Sequence, residues 1–248
     1  MNLAEILRPP LWAFARRSHR EYLVVSYESE LAAIRAVLPE PLEPGGANIV
    51  RVEFVVLRAP DGGCAVEVDV VIPAWLNDTA VDFLAHRWID GYARAHPKLI
   101  ALADTLAGIV ECAGQAIASA TMDNGHTAYS TTAVARQLGR PRVSLRRAAD
   151  IDGRCAMAQL VESRVAHVRV RDASAGAAQL HLGRDALAPS RALPVSRVLG
   201  GLHFVADVTP AGSRVVHDYA QNERAHSGVL RAGSRSRGAD AATVAAIH

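Results

Sequence analysis

The sequence has almost no lysine. Of its 27 basic residues one, Lys98, is a lysine and all the others are arginines. A guanidinium keeps its charge at any accessible pH, whereas an ε-amine enclosed in an apolar pocket can lose its proton and attack a carbonyl carbon. A side-chain amine nucleophile, if the protein uses one, has to be Lys98. Long apolar runs are also missing, since none reaches the ~20 residues that a membrane-spanning helix needs. The opening MNLAEILRPPLWAFARR does not show the order of charge, apolar stretch and small-residue cleavage site of a signal peptide, so a cytoplasmic location and no membrane partner are expected. Cysteines number three, Cys64, Cys112 and Cys155, far apart and without zinc-site spacing, which predicts thiols packed as small hydrophobes. Excess charge is absent too. The net charge is +2 and arginines alternate with acids along the chain, so no basic face for nucleic acid is implied.

What is present is apolar bulk: half of the 248 residues are hydrophobic, enough for one large core. Residues 1–18 carry Pro9, Pro10, Trp12 and Phe14 without periodicity and read as an arm. EYLVVSYES reads as a strand. SELAAIRAVLPEPLEP reads as a short helix with Ser29 as N-cap, Leu31, Ile34, Val37 and Leu38 on one face, and a stop at Pro39. NIVRVEFVVLRAP and CAVEVDVVIPAW, joined by Asp61-Gly62-Gly63, predict a β-hairpin. Val81–Ile89 mixes bulky and charged residues ambiguously, and His126–Arg140 is a polar stretch. RVSLRRAAD, AMAQLVESRVAHVRVRDAS, AQLHLGRD and PVSRVLGGLHFVADVTP read as further strands, with Gly45-Gly46 and Gly200-Gly201 as turn signals. From residue 221 the composition turns to Ser, Gly, Arg and Ala, the pattern of a mobile tail. Many strands at short spacing with few helices predict an α+β, mainly β fold, a curved antiparallel sheet or barrel-like domain over 19–220.

Several segments, in their order and spacing, resemble the acetoacetate decarboxylase family. These are HREY at 19–22, VLPEPLEP at 37–44, VRVEF at 50–54, GCAVEVDVVIP at 63–73, DTLAG at 104–108, ASATM at 118–122, ALAPSRALPV at 186–195 and ADV at 206–208. The resemblance runs from about His19 to Tyr219 and implies the family fold, a homo-oligomer and a small keto acid or polyketide-like substrate. In that family a lysine following a proline, in a Tyr-Pro-Lys-Lys run, forms a Schiff base with the substrate ketone. Two alignments are open here. One sets His96-Pro97-Lys98 on the run and makes Lys98 the nucleophile, with Leu99 in place of the second lysine. The other sets Gly91-Tyr92-Ala93-Arg94 there, and the nucleophile is then replaced by Arg94. Retention of the one lysine directly after a proline favours the first.

Such an amine must lose its proton near neutral pH, through desolvation or a neighbouring cation; acetoacetate decarboxylase is itself the standing example of this activation. Arg94 or His96 would be that neighbour here. The resemblance further implies Glu53 and Glu67, each interrupting an apolar strand, as cavity carboxylates that orient substrate or transfer protons. It places Arg20 on a substrate carboxylate. His96, Met122 and Gln159 are the other substrate contacts expected, and neither a cofactor nor a metal is expected. The leading expectation is therefore a cofactor-free lyase forming a lysine Schiff base with a small oxo acid. Its outcome is decarboxylation of a β-keto acid, or aldol, dehydration or cyclisation chemistry in secondary metabolism. The alternative is a non-covalent cyclase or ligand-binding barrel of the same fold that has lost imine chemistry.

Overall fold

Valine, isoleucine and threonine fill the long runs of this chain, and β-branched side chains pack well on a pleated surface. A computed structural model describes residues 18–58, 64–90, 95–102, 104–112, 115–123, 127–149, 156–183 and 192–220. Among these it forms thirteen strands and two helices, the mainly β architecture expected. In chain order these are β1 (Ser18–Glu28), α1 (Leu31–Val37), β2 (Glu43–Pro44), β3 (Ile49–Arg58), β4 (Cys64–Leu76), β5 (Thr79–Ile89) and β6 (Ala95–Ala101). There follow β7 (Thr105–Cys112), β8 (Gln115–Asp123), β9 (Thr127–Ala128), α2 (Thr131–Leu138), β10 (Arg142–Ala149), β11 (Ala156–Gly176), β12 (Ala178–Leu182) and β13 (Arg197–Asp218). The expected arm and tail, and the Gly91–Arg94 run, lie outside the described residues.

The strands form two sheets. The larger runs in the order β10-β5-β4-β3-β1-β13-β11-β9 with β2 on β4, and the smaller in the order β12-β8-β7-β6. The expected hairpin is β3 against β4, in antiparallel register from Arg51 opposite Val71 to Arg58 opposite Cys64. The described residues divide into two compact units, the larger comprising those of 18–144 and 162–214, the smaller those of 145–161 and 215–220.

Within the larger unit both faces of the central strands are covered, so eight of the ten residues of β3 are buried, Arg51 and Glu53 among them. Phe54 and its face-mates lie against the smaller sheet, where Gly108 of β7 sits so close that an added Cβ would come within 2.5 Å of the Phe54 ring. On the opposite face Tyr22, Val24, Val55 and Leu57 join Phe204, Ala206 and Val208 of β13 and Val134 of α2 in one core, with the Tyr22 and Phe204 rings stacked at 4.5 Å.

Local expectations are corrected at three places. Ser29 does not cap α1; the N-cap is Glu30, without a side-chain hydrogen bond, because the Ser29 N–H is tied to the Asn48 carbonyl at 3.0 Å. The polar stretch 126–140 contains helix α2, whose N-cap is Ser130; its Oγ accepts from the Ala133 N–H at 3.2 Å. Gly200-Gly201 is no turn but the interior of β13, beside an irregularity in its pairing with β1, and an added Cβ on Gly201 would lie 2.8 Å from Met122. The ambiguous run Val81–Ile89 is the body of β5, whose charged residues meet partners on neighbouring strands.

Candidate active site

Strand alternation and register put the acids of this chain on one face. Cross-strand partners share a face, and Glu53 lies opposite Asp69, Val55 opposite Glu67, and Asp69 opposite Arg87. That face is the one carrying Tyr22 and Val55, so Glu53, Glu67 and Asp69 point away from the smaller sheet. All three are buried, Asp69 with none of its surface exposed. Buried carboxylates persist only with charged or hydrogen-bonding partners, and arginines supply them.

Asp69 is the centre of the network. Its two oxygens accept from Arg87 Nε and Nη2, both at 2.7 Å, the parallel fork that suits guanidinium to carboxylate. A third bond comes from Arg142 Nη1 at 2.9 Å. Arg142 donates its other edge to Glu53, and Arg51 approaches Glu53 at 3.4 Å and Asp82 at 2.6 Å. Helix α2 delivers Arg142 to this place. The chain leaves the helix at Gly139, the Pro141 carbonyl accepts from the Asp82 N–H at 2.9 Å, and β10 then runs parallel to β5 with Arg142 opposite Asp82.

Beside the network lies a cavity of about 130 Å³ in the larger unit. Its wall is formed by Arg20 and Tyr22 of β1, Glu67 of β4, Leu84 and Arg87 of β5, Leu138 of α2, Arg142 and Ser144 of β10, and residues of β11 and β13. Glu67 is its carboxyl. Among the described residues Glu67 has one ion-pair contact, Arg87 Nη1 at 3.7 Å, too long for a hydrogen bond. Burial pushes the Glu67 carboxyl up, helped by the Asp69 charge and opposed by Arg87, Arg20 and Arg142. Asp69 behaves oppositely: burial would raise it, but Arg87, by charge and by hydrogen bond, together with Arg142 and Arg20 holds it below the usual carboxylate range. Two acids two residues apart are thus pushed in opposite directions, the arrangement that suits a proton donor beside a fixed anion. Arg20 donates from Nε to Ser18 Oγ at 2.8 Å and has no carboxylate within ion-pair distance among the described residues, which leaves its guanidinium available to an incoming anion.

The structure brings together two of the residues expected at the site, Arg20 and Glu67. Glu53 does not line the cavity; it accepts from Arg142 and is approached by Arg51, so it is a counter-ion of the network. Lys98 is on β6 in the smaller sheet with half of its side chain exposed, and its Nζ donates to Glu111 Oε2 at 2.7 Å. A solvated position beside a carboxylate is the reverse of the apolar enclosure expected for a nucleophile. His96 is likewise exposed, its ring 3.3 Å from Asp90. Met122 is core, packed beneath Gly201. Gln159 belongs to the smaller unit, where it donates to Asp218 at 3.0 Å. Asp69, Arg87, Arg142, Arg51 and Asp82 escaped the sequence reading. Their signal was present, as charged residues two apart on two successive apolar strands, Arg51 with Glu53 and Glu67 with Asp69, and as Asp82 and Arg87 on the next.

Comparison with known proteins agrees with this architecture. The family profile described as Acetoacetate decarboxylase (ADC) matches residues 6–220. Acetoacetate decarboxylase 2 of Mesorhizobium japonicum is 35% identical over 82% of this chain and 84% of its own length. Acetoacetate decarboxylase of Clostridium acetobutylicum is 30% identical over 81% of this chain and 88% of its own. The crystal structure of acetoacetate decarboxylase from Legionella pneumophila superposes with a TM-score of 0.77 at 26% identity, covering 84% of this chain and 89% of that one. A profile match over most of the length, with relatives of this identity, means that the chain belongs to the acetoacetate decarboxylase family.

Proposed function

We propose that this protein is an acetoacetate decarboxylase-like lyase that binds a small β-keto acid without forming an imine on Lys98, and that Glu67 supplies the proton its chemistry needs. The observation that carries this reading is the cavity in which, among the described residues, one carboxyl, Glu67, has no hydrogen-bonded cation and Arg20 has no carboxylate. The two vacancies are complementary to a keto acid anion. Arg20 holds the substrate carboxylate, and protonated Glu67 faces the keto oxygen.

In the reaction so drawn, the bond between the α-carbon and the carboxylate breaks and its electron pair forms the enol double bond. Glu67 gives its proton to the keto oxygen and becomes the carboxylate, and carbon dioxide leaves. The enol then tautomerises to the ketone and Glu67 recovers a proton from water. Capture of the same enol by an aldehyde gives the aldol branch of the chemistry. The exposed, Glu111-bound amine of Lys98 counts against the imine route, and the alignment that sets Arg94 on the lysine run agrees with a non-covalent site.

The experiment is release of carbon dioxide from acetoacetate and from other short β-keto acids, with calorimetric binding of the same acids. Glu67→Gln is expected to abolish turnover while retaining binding, and Arg20→Gln to weaken binding at least tenfold. Borohydride reduction with substrate present is expected to leave Lys98 unmodified. A reduced adduct on Lys98, or full turnover by Glu67→Gln, refutes the proposal.

A further inference from the structure

Glu67 and Asp69 are neighbours on one strand face and compete for the same arginine. Asp69 takes Nε and Nη2 of Arg87 and also Nη1 of Arg142, while Glu67 is left with a 3.7 Å approach from Arg87 Nη1. Arg142 is held from its other edge by Glu53. Nε and Nη2 of Arg87 and both terminal nitrogens of Arg142 are therefore engaged by Asp69 and Glu53, carboxylates that do not line the cavity. We propose that Asp69 is a positioning residue: by capturing Arg87 and Arg142 it withholds both from Glu67 and so keeps Glu67 as the proton-exchanging group of the cavity.

The groups facing Glu67 can be taken element by element. Asp69 is on its own strand, Arg87 on β5, Arg142 on β10, Arg20 and Tyr22 on β1, and Arg164 on β11, the last already paired with Glu162. Of the arginines, Arg87 alone reaches within 4 Å of Glu67 among the described residues. A rotation that freed Arg87 from its fork would let it close the remaining gap and convert Glu67 into a fixed carboxylate. The direction of the two acids, Glu67 pushed up by burial and Asp69 held down against burial by Arg87, agrees with this division of the cations. The inference rests on Glu67 being the proton carrier, as proposed above.

The test is difference infrared spectroscopy of the whole protein against pH, following the carboxyl band that disappears in Glu67→Gln. Asp69→Asn is expected to move the midpoint of that band by about one pH unit or more to the acid side, a tenfold change in the acid constant. The double variant D69N/R87Q removes both charges and is expected to bring the midpoint most of the way back, because the released arginine is gone. A folded Asp69→Asn with an unmoved midpoint overturns the proposal, as does a double variant that keeps the full acid shift. Should Asp69→Asn fail to fold, the unmodified protein decides. Its Arg87 Nε–H resonance is expected to keep its position and exchange protection on both sides of the Glu67 midpoint, and its transfer to Glu67 on ionisation overturns the proposal. Acetoacetate titrated into the same samples reads the lyase proposal separately: no binding with the infrared shifts intact defeats that proposal and supports the role of Asp69.

Discussion

Replacing Lys98 by methionine separates the two chemistries open to this family member. The side chain is 50% exposed and its partner Glu111 is 38% exposed, joined by one contact of 2.7 Å. At that exposure the Coulomb attraction is about 1 kcal/mol in a water-like dielectric, and holding two flexible chains in register consumes part of it. The net loss expected for Lys98→Met is about 0.5 kcal/mol. For a chain of this size that lowers the melting temperature by about 1–2 °C. Removal of an imine-forming nucleophile, in contrast, costs several orders of magnitude in turnover. The assay is carbon dioxide release from acetoacetate, with calorimetric binding and a thermal melt on the same preparation. Unchanged turnover or binding with a small loss of stability is expected. A Lys98→Met protein that melts within 2 °C of the unmodified one but has lost more than about a hundredfold in turnover refutes the reasoning.

Four further outcomes follow from named contacts. Because burial raises the Glu67 carboxyl, its contribution to stability is complete below the unfolded carboxylate value of about 4.3 and is lost as pH rises through its folded value; turnover of the unmodified protein falls along the same limb, and Glu67→Gln removes that limb from the profile of stability against pH. The lowered Asp69 does the reverse, stabilising the fold above about 3.9 and losing its effect as pH falls through its folded value, so acid unfolding of Asp69→Asn begins from a lower plateau but with a shallower pH dependence. Gly108→Ala forces a methyl to 2.5 Å from the Phe54 ring and is expected to cost about 1–3 kcal/mol in chemical denaturation, partly rescued by Phe54→Leu; an unaltered midpoint refutes the close packing of the two sheets. Ser130→Ala removes the cap of α2 and is expected to cost about 1 kcal/mol, whereas Ser29→Ala, whose Oγ is buried without a partner, is expected to cost less; equal losses contradict the cap assignment.

The sequence by itself determined the local matters. Alternation specified β3 and β4 as pairing strands, although residues 61–63 between them lie outside the described residues, Pro39 ended α1, and the ordered family segments identified the fold to which Arg20 and Glu67 belong. Composition also narrowed the chemistry to a single lysine. Only the tertiary structure decided which charges are spent on one another. Glu53 and Glu67 look alike along the chain, each an acid among valines, yet one is bonded by Arg142 and approached by Arg51 while the other lines a cavity. The difference comes from an arginine that arrives on a distant strand by way of α2, and from a register that sets Arg87 opposite Asp69 instead of Glu67. Lys98 could not be placed from sequence for the same reason, since a residue after a proline on a short strand is enclosed or solvated according to which sheet that strand joins, and β6 joins the smaller one beside Glu111. Proton affinity depends on the summed distances to charges and water, and those distances exist only once the strands have paired.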